Sequence, residues 1–229
     1  MKTIGLVGGM SWESTAVYYR TINEEVRRTL GGFHSAEIAL YSVDFALIEK
    51  LQSSGDWGGL TDIVVGAAHN IERAGADFLL ICSNTIHEVA PEIERAITIP
   101  LLHIADATAE ALVQNNAKTV GLLGTSFTME QEFYKGRLSK QYGLEVIVPD
   151  ESDRMLINGI IYKELCQGVI RSISRQQFIR IINALAAAGA EAVIAGCTEI
   201  SMLVKQCDSA IPIYDTSSLH AEKAVKWAL

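Results

Sequence analysis

Apolar residues in this chain fall into short β-rich blocks, separated by longer stretches in which they recur at every third and fourth position. The blocks at 3–7, 37–43, 77–82, 101–104, 119–123, 144–148, 192–195 and 213–214 predict eight strands. They lack strict alternation with polar residues, the pattern of strands whose two faces are both covered by helices in a parallel sheet. The intervening stretches 14–29, 60–74, 88–96, 105–115, 129–142, 153–166, 175–188 and 217–227 predict helices. Gly75 and Gly189 stand where a glycine ends a helix before the next strand.

The pattern repeats itself. Ala74-Gly75-Ala76-Asp77, an apolar run and Cys82-Ser83-Asn84-Thr85-Ile86 return as Ala188-Gly189-Ala190-Glu191, an apolar run and Gly196-Cys197-Thr198-Glu199-Ile200. Upstream, Thr3-Ile4-Gly5-Leu6-Val7-Gly8 is echoed by Thr119-Val120-Gly121-Leu122-Leu123-Gly124, and downstream Ile99-Pro100-Leu101-Leu102 is echoed by Ile211-Pro212-Ile213-Tyr214. Three echoes in one order at a nearly constant spacing indicate a duplicated unit. The expected architecture is α/β: two pseudo-symmetric domains, each a parallel sheet of about four strands flanked by helices. Residues 1–104 with 213–229 form the first domain and 105–212 the second. The final helix is expected to return to the first half. Open parallel sheets bind ligands beyond the carboxyl ends of their strands, so an active site is expected in the interdomain cleft.

Composition narrows the function. With 229 residues and 49% hydrophobic content the chain can fill a sizeable core. A net charge of −8 argues against nucleic acid and anionic membrane surfaces, which require clustered Lys or Arg. No run approaches the ~18 apolar residues of a membrane span, and Met1-Lys2-Thr3-Ile4-Gly5 leads directly into a strand, so a cytoplasmic location is expected. Cys82, Cys166, Cys197 and Cys207 match no metal-ligand spacing and are expected to be free thiols.

The residues just after the predicted strands carry the chemistry. Cys197 follows a strand and precedes Thr198-Glu199 at the start of a predicted helical turn, where amide groups and the helix dipole favour a thiolate; the alternative is a small buried hydrophobe. Its counterpart in the repeat is Ser83. Cys82 is one residue earlier and on a strand faces the other way, into a core if Cys197 faces the ligand; a one-residue shift of register is the alternative. Gly8-Gly9-Met10-Ser11 lacks the G-x-G-x-x-G frame of a dinucleotide site, although Asp44 stands where a ribose-binding acid would. A glycine turn feeding a helix still suits a carboxylate, and Ser11, Ser14 and Thr15 can also act as N-caps. Met10, Trp12 and Phe45 either wall the site or pack in the core. His34, His69, His87, His103 and His220 are scattered, and His87, in the first turn after Asn84-Thr85, is read as a surface or capping residue, with an approach to the cleft as the alternative. Lys163, on a predicted helix, either offers a cation to a ligand carboxylate or belongs to a solvated face.

Gly8-Gly9-Met10-Ser11-Trp12-Glu13-Ser14-Thr15, Asn84-Thr85, Leu123-Gly124-Thr125 and Gly196-Cys197-Thr198-Glu199 together resemble the aspartate/glutamate racemase family, most closely its bacterial broad-specificity or aspartate/glutamate members. The resemblance spans essentially the whole chain. It implies an amino-acid racemase that needs no cofactor, neither pyridoxal nor metal. It also implies a homodimer acting on a small acidic amino acid through one cysteine from each half. One thiolate removes the α-proton while the opposite thiol returns one to the other face. Carried onto this chain, the catalytic pair is Cys197 and Ser83, and Gly9, Met10, Ser11, Asn84, Thr85, Thr125, Lys163 and Thr198 are the expected substrate-binding residues. The hydroxyl in place of the first thiol is a departure. Serine is a poor unaided base, so the two directions are expected to be unequal, with L substrates favoured. Two other readings stay open: a single-thiol decarboxylase or cis-trans isomerase of a dicarboxylate, and a non-catalytic binder of small ligands.

Overall fold

A computed structural model describes all 229 residues. They divide into a first unit, Met1–Ile104 with His220–Leu229, and a second, Ala105–Leu219.

The first unit contains β1 (Ile4–Gly8), α1 (Trp12–Leu30), β2 (Ile38–Ser42), α2 (Phe45–Ser54), α3 (Trp57–Arg73), β3 (Phe78–Ile81), a 3-10 turn (Thr85–Val89) and α4 (Ala90–Ala96). Its strands are parallel, in the order β2-β1-β3. Because side chains alternate along a strand, β1 and β3 feed two separate cores. On one face Val7, Leu79 and Ile81 pack with Val64, Ala68 and Ile71 of α3 and Ile93 of α4. On the other, Ile4, Leu6, Phe78, Leu80 and Cys82 pack with Tyr18, Ile22 and Val26 of α1. Completing that second core are Ala221, Ala224 and Val225 near the carboxyl end of the chain.

The chain leaves the first unit through α5 (Ile104–Gln114). The second unit then runs β4 (Thr119–Gly124), α6 (Ser126–Glu130), α7 (Glu132–Tyr142), β5 (Glu145–Ile147) and α8 (Glu151–Lys163). A 3-10 turn (Leu165–Gln167), α9 (Ser172–Ala187), β6 (Ala192–Gly196), α10 (Ile200–Leu203), a second 3-10 turn (Gln206–Asp208), β7 (Ile213–Asp215) and α11 (Thr216–Ala228) follow. The sheet is parallel, in the order β5-β4-β6-β7.

The duplication is visible bond by bond. The Asp77 amide donates to the Thr3 carbonyl at 2.9 Å, as Glu191 does to Thr119 at 2.9 Å. The carboxylates of the same two residues accept from the amides of Thr3 and Lys118, each at 2.6 Å. The Leu79 amide donates to Pro100 and the Val193 amide to Pro212, at 2.9 and 2.8 Å. The echoed sequences therefore encode one strand arrangement twice.

The structure corrects three expectations. Block 101–104 is not a strand: only a single bridge, Leu79 to Leu101, forms beside β3, so the first sheet has three strands. Residues 213–215 belong to the second unit, because β7 satisfies its backbone by pairing Ile213, Tyr214 and Asp215 with Val193, Ile194 and Ala195. The return to the first unit comes at His220, where the apolar face of α11 meets the core. Asp44, whose place after β2 is that of a ribose-binding acid, is the N-cap of α2 and accepts from the Ala46 amide at 3.1 Å. Region 129–142 is two helices, broken at Gln131, whose backbone is extended.

Candidate active site

Four strand ends present the residues of interest, two in each unit. After β1 the chain turns sharply into α1. Gly9 has φ +95°, and a Cβ there would lie 2.2 Å from the Val43 carbonyl oxygen and 2.6 Å from the Val43 nitrogen, so only glycine fits. Its amide donates to Thr15 Oγ1 at 2.8 Å, and that hydroxyl donates to the Ser11 carbonyl at 3.0 Å. Ser11 is the N-cap of α1, its Oγ accepting from the Ser14 amide. The Gly9 amide is therefore already engaged, and the contribution of Gly9 is conformational. Met10 is buried in the core with Val7 and Leu60, which assigns it to packing rather than to the wall of a site. Trp12, by contrast, is exposed.

After β3 the direction of each side chain decides its role. Cys82 is fully buried beside Phe78 and Leu80, and burial pushes its thiol far above the ordinary range. Ser83, the next residue, is partly exposed. Asn84 and Thr85 are buried immediately behind it, and the Asn84 carbonyl accepts from the His87 amide at 3.1 Å. His87 is not a surface residue. It is 1% exposed, and its Nδ1 lies 2.7 Å from the Ser83 carbonyl oxygen.

In the second unit Thr125 follows β4 and caps α6, accepting from the Thr128 amide at 3.3 Å. The adjacent Ser126 amide is held by Asn158 Oδ1 at 2.9 Å. After β6 comes Gly196, where a Cβ would press to 2.8 Å of the Leu123 carbonyl oxygen, and then Cys197. The Cys197 Sγ donates to Glu199 Oε2 at 3.0 Å. Thr198 is buried, and its Oγ1 accepts from Ser217 Oγ at 3.0 Å, which ties the turn to the start of α11. Lys163 is the last residue of α8 and is exposed.

The electrostatics of Cys197 differ from the expectation of a stabilised thiolate. The thiol is pushed well above its ordinary 9.0, first by burial, then by the negative charge of Glu199 and by the neighbouring Cys166. The four-residue α10 that follows is too short to offset them. Cys197 rests as a protonated thiol whose hydrogen points at a carboxylate. Glu199 thus touches the candidate thiol, a contact that sequence reasoning passed over although Glu199 stands two positions from Cys197 in the same string.

Each of the two α/β units holds a parallel sheet, and the duplication sets Ser83 and Cys197 at matching strand ends. The model of the Asp/Glu/Hydantoin racemase family matches residues 7–224, and the chain belongs to that family. It is an enzyme of the racemase class. It is 24% identical over 232 residues to the broad specificity amino-acid racemase RacX of Bacillus subtilis, covering 97% of this chain and 96% of RacX. Among solved structures it resembles a candidate Asp/Glu racemase from Yersinia pestis at 51% identity and TM-score 0.93, covering 100% of this chain and 99% of the other. An aspartate racemase homologue from Pyrococcus horikoshii follows at 34% identity and TM-score 0.86, with coverage of 100% and 99%. No helix is long and apolar enough to cross a membrane.

Proposed function

We propose that this enzyme racemises acidic amino acids, aspartate and glutamate, without pyridoxal or metal, using Cys197 and Ser83 on opposite faces of the substrate α-carbon. The Cys197 thiol, protonated at rest, first gives its proton to solvent; the thiolate then takes the α-proton and becomes the thiol again. The Ser83 hydroxyl, or a water it holds, delivers a proton to the other face and recovers one from solvent. The intervening carbanion is stabilised by hydrogen bonds aimed at the substrate carboxylate as charge develops there. Asn84, Thr85, Thr125 and Thr198 are the side-chain donors assigned to that task, and Lys163 is the cation assigned to the substrate's acidic side chain.

The reading rests chiefly on one observation: the repeat sets a partly exposed hydroxyl and a partly exposed thiol at equivalent strand ends, each beside Asn or Thr, while the neighbouring Cys82 is fully buried. A hydroxyl is a far weaker acid than a thiol and a poor unaided base. Proton removal from the two faces is therefore unequal, although detailed balance keeps kcat/KM for inversion the same in both directions, and we assign the L enantiomers, the hand the family resemblance suggests, to Cys197. The enzyme is further proposed to be a cytoplasmic homodimer. The exposed Trp12, Tyr19, Leu40 and Tyr41 along α1 and the edge strand β2 support that assembly.

The test is incubation of the protein with L- and D-aspartate and L- and D-glutamate in deuterated water. NMR follows α-deuterium and chiral chromatography follows inversion. Deuterium incorporation with inversion, faster from the L side, is the expected result. Silence on all four with turnover of maleate or a substituted malonate would replace this reading by a single-thiol decarboxylase or isomerase. Binding without exchange would reduce it to a ligand-binding relative.

A further inference from the structure

Four buried rings, Tyr18, His87, His103 and His220, lie together behind the Ser83 turn, and hydrogen bonds fix the ring protons of His87 and His220. His87 Nε2 lies 3.2 Å from the backbone nitrogen of Ile104, and an amide can only donate. That nitrogen must therefore be bare, which puts the ring proton on Nδ1, 2.7 Å from the Ser83 carbonyl oxygen. The His87 side chain is thus satisfied at both nitrogens only as the neutral Nδ1–H tautomer. Two residues before Ile104, the Leu102 carbonyl accepts from His220 Nε2 at 2.8 Å, and His220 Nδ1 accepts from the Tyr18 hydroxyl at 2.9 Å. His220 is neutral too: burial holds it at about 3. The His103 ring packs on His87 at 4.4 Å between centroids, and His220 lies edge-on to His87 at 6.0 Å. Segment 102–104, the last of the first unit before the chain passes into the second, is consequently gripped at Leu102 by His220 and at Ile104 by His87.

We propose that His87, as the neutral Nδ1–H tautomer, is a positioning residue that fixes the Ser83 backbone against segment 102–104 and so sets the aim of the Ser83 hydroxyl. The inference rests on the racemase reading above. His87 touches no reacting atom and acts only through Ser83. A displaced carbonyl turns the Cα–Cβ bond of the same residue, and misplacement of a reacting group by about 1 Å costs on the order of 100-fold in rate. The Cys197 half-reaction does not depend on this contact.

Two isosteres separate the two bonds of the ring. Asparagine puts an N–H donor near the position of Nδ1, whereas glutamine puts an acceptor near that of Nε2. His87→Gln is expected to slow the Ser83-dependent direction of exchange roughly 10- to 100-fold while the Cys197-dependent direction stays within about twofold. His87→Asn is expected to recover most of the lost rate. Equal loss in both directions, or no recovery with asparagine, would overturn the positioning role. A measurement on the wild-type protein without substrate tests the premise independently: 15N spectra of the imidazole nitrogens should show His87 protonated at Nδ1 and bare at Nε2 near neutral pH. The opposite tautomer or a charged ring would overturn the proposal even if every variant failed to fold. Absence of exchange in the wild-type enzyme would instead refute the racemase reading, which makes the two failures distinguishable.

Discussion

Replacing Glu199 by glutamine removes the charge beside Cys197 while keeping the side chain's length and its capacity to hydrogen-bond. In the native enzyme the thiol proton lies between Sγ and Oε2, 3.0 Å apart, so ionising the thiol creates two negative charges in contact. At that separation and an effective dielectric of ~20 the repulsion is roughly 5 kcal/mol. That is a ceiling, because Cys197 is partly exposed and solvent screens the pair; roughly 1.5 to 3 kcal/mol is a reasonable remainder. Each ~1.4 kcal/mol is a factor of ten, so the thiolate population at mildly alkaline pH should rise about 10- to 100-fold in Glu199→Gln. Burial, the larger cause of the raised thiol pKa, stays in place and keeps Cys197 from becoming strongly acidic. The assay is the pH dependence of alkylation by iodoacetamide, with the label assigned to Cys197 by peptide mass spectrometry, since Cys166 and Cys207 also carry accessible thiols. Faster labelling, with its alkaline limb moved to lower pH, is expected. Labelling that is unchanged or slower would show that Glu199 does not hold the thiol protonated, and the electrostatic account of Cys197 would be wrong.

Other substitutions test separate parts of the structure. Cys82→Ala should cost about 1 to 2 kcal/mol of stability, read as a fall in Tm, with exchange kinetics unchanged; lost exchange would mean that Cys82 rather than Ser83 is the working residue. Gly9→Ala forces a Cβ against the backbone of Val43 and should cost at least about 2 kcal/mol, a Tm loss of roughly 4 °C or more. Ser83→Cys should speed α-proton exchange from the slower enantiomer at least about tenfold, because a thiol is the better acid and base near neutral pH; an unchanged ratio of exchange rates from the two enantiomers would remove Ser83 from the reaction. His220 titrates at about 3 when folded against 6.5 when exposed, so the folded state binds fewer protons between those values. Its contribution to stability is full above about 6.5 and is lost as pH falls toward 3, amounting to about 2 kcal/mol between pH 7 and pH 5. Urea denaturation at both pH values should show that loss in the wild type and less of it in His220→Gln.

How far the sequence carried the description depended on whether the deciding physics was local. The paired strands and their terminal residues were legible because Thr3 and Thr119, Asp77 and Glu191, and Pro100 and Pro212 make the same bonds twice. The opposite facing of Cys82 and Ser83 followed from the two-residue period of a strand. Strand partnership was not local: 101–104 and 213–215 look alike in sequence, yet only the second finds a ladder longer than one bridge. Helix α2 was missed because the apolar run Phe45-Ala46-Leu47-Ile48 is short, although its Asp44 cap and its αL stop at Gly55, φ +74°, were both present. The Cys197 thiol was misjudged because proximity to a helix start is visible in sequence, whereas the enclosure and the bend that brings Glu199 onto Sγ are three-dimensional. The same holds for His87, whose two bonds reach Ser83 nearby and Ile104 farther along the chain.

The division of labour between sulfur and hydroxyl is tested most directly by Ser83→Ala in deuterated water, supplied separately with each enantiomer of aspartate and glutamate. Cys197 should still exchange the α-proton of the L enantiomer for deuterium while inversion nearly stops, so that the L amino acid becomes labelled without changing hand. Inversion at the wild-type rate, or exchange lost equally from both enantiomers, would contradict the account.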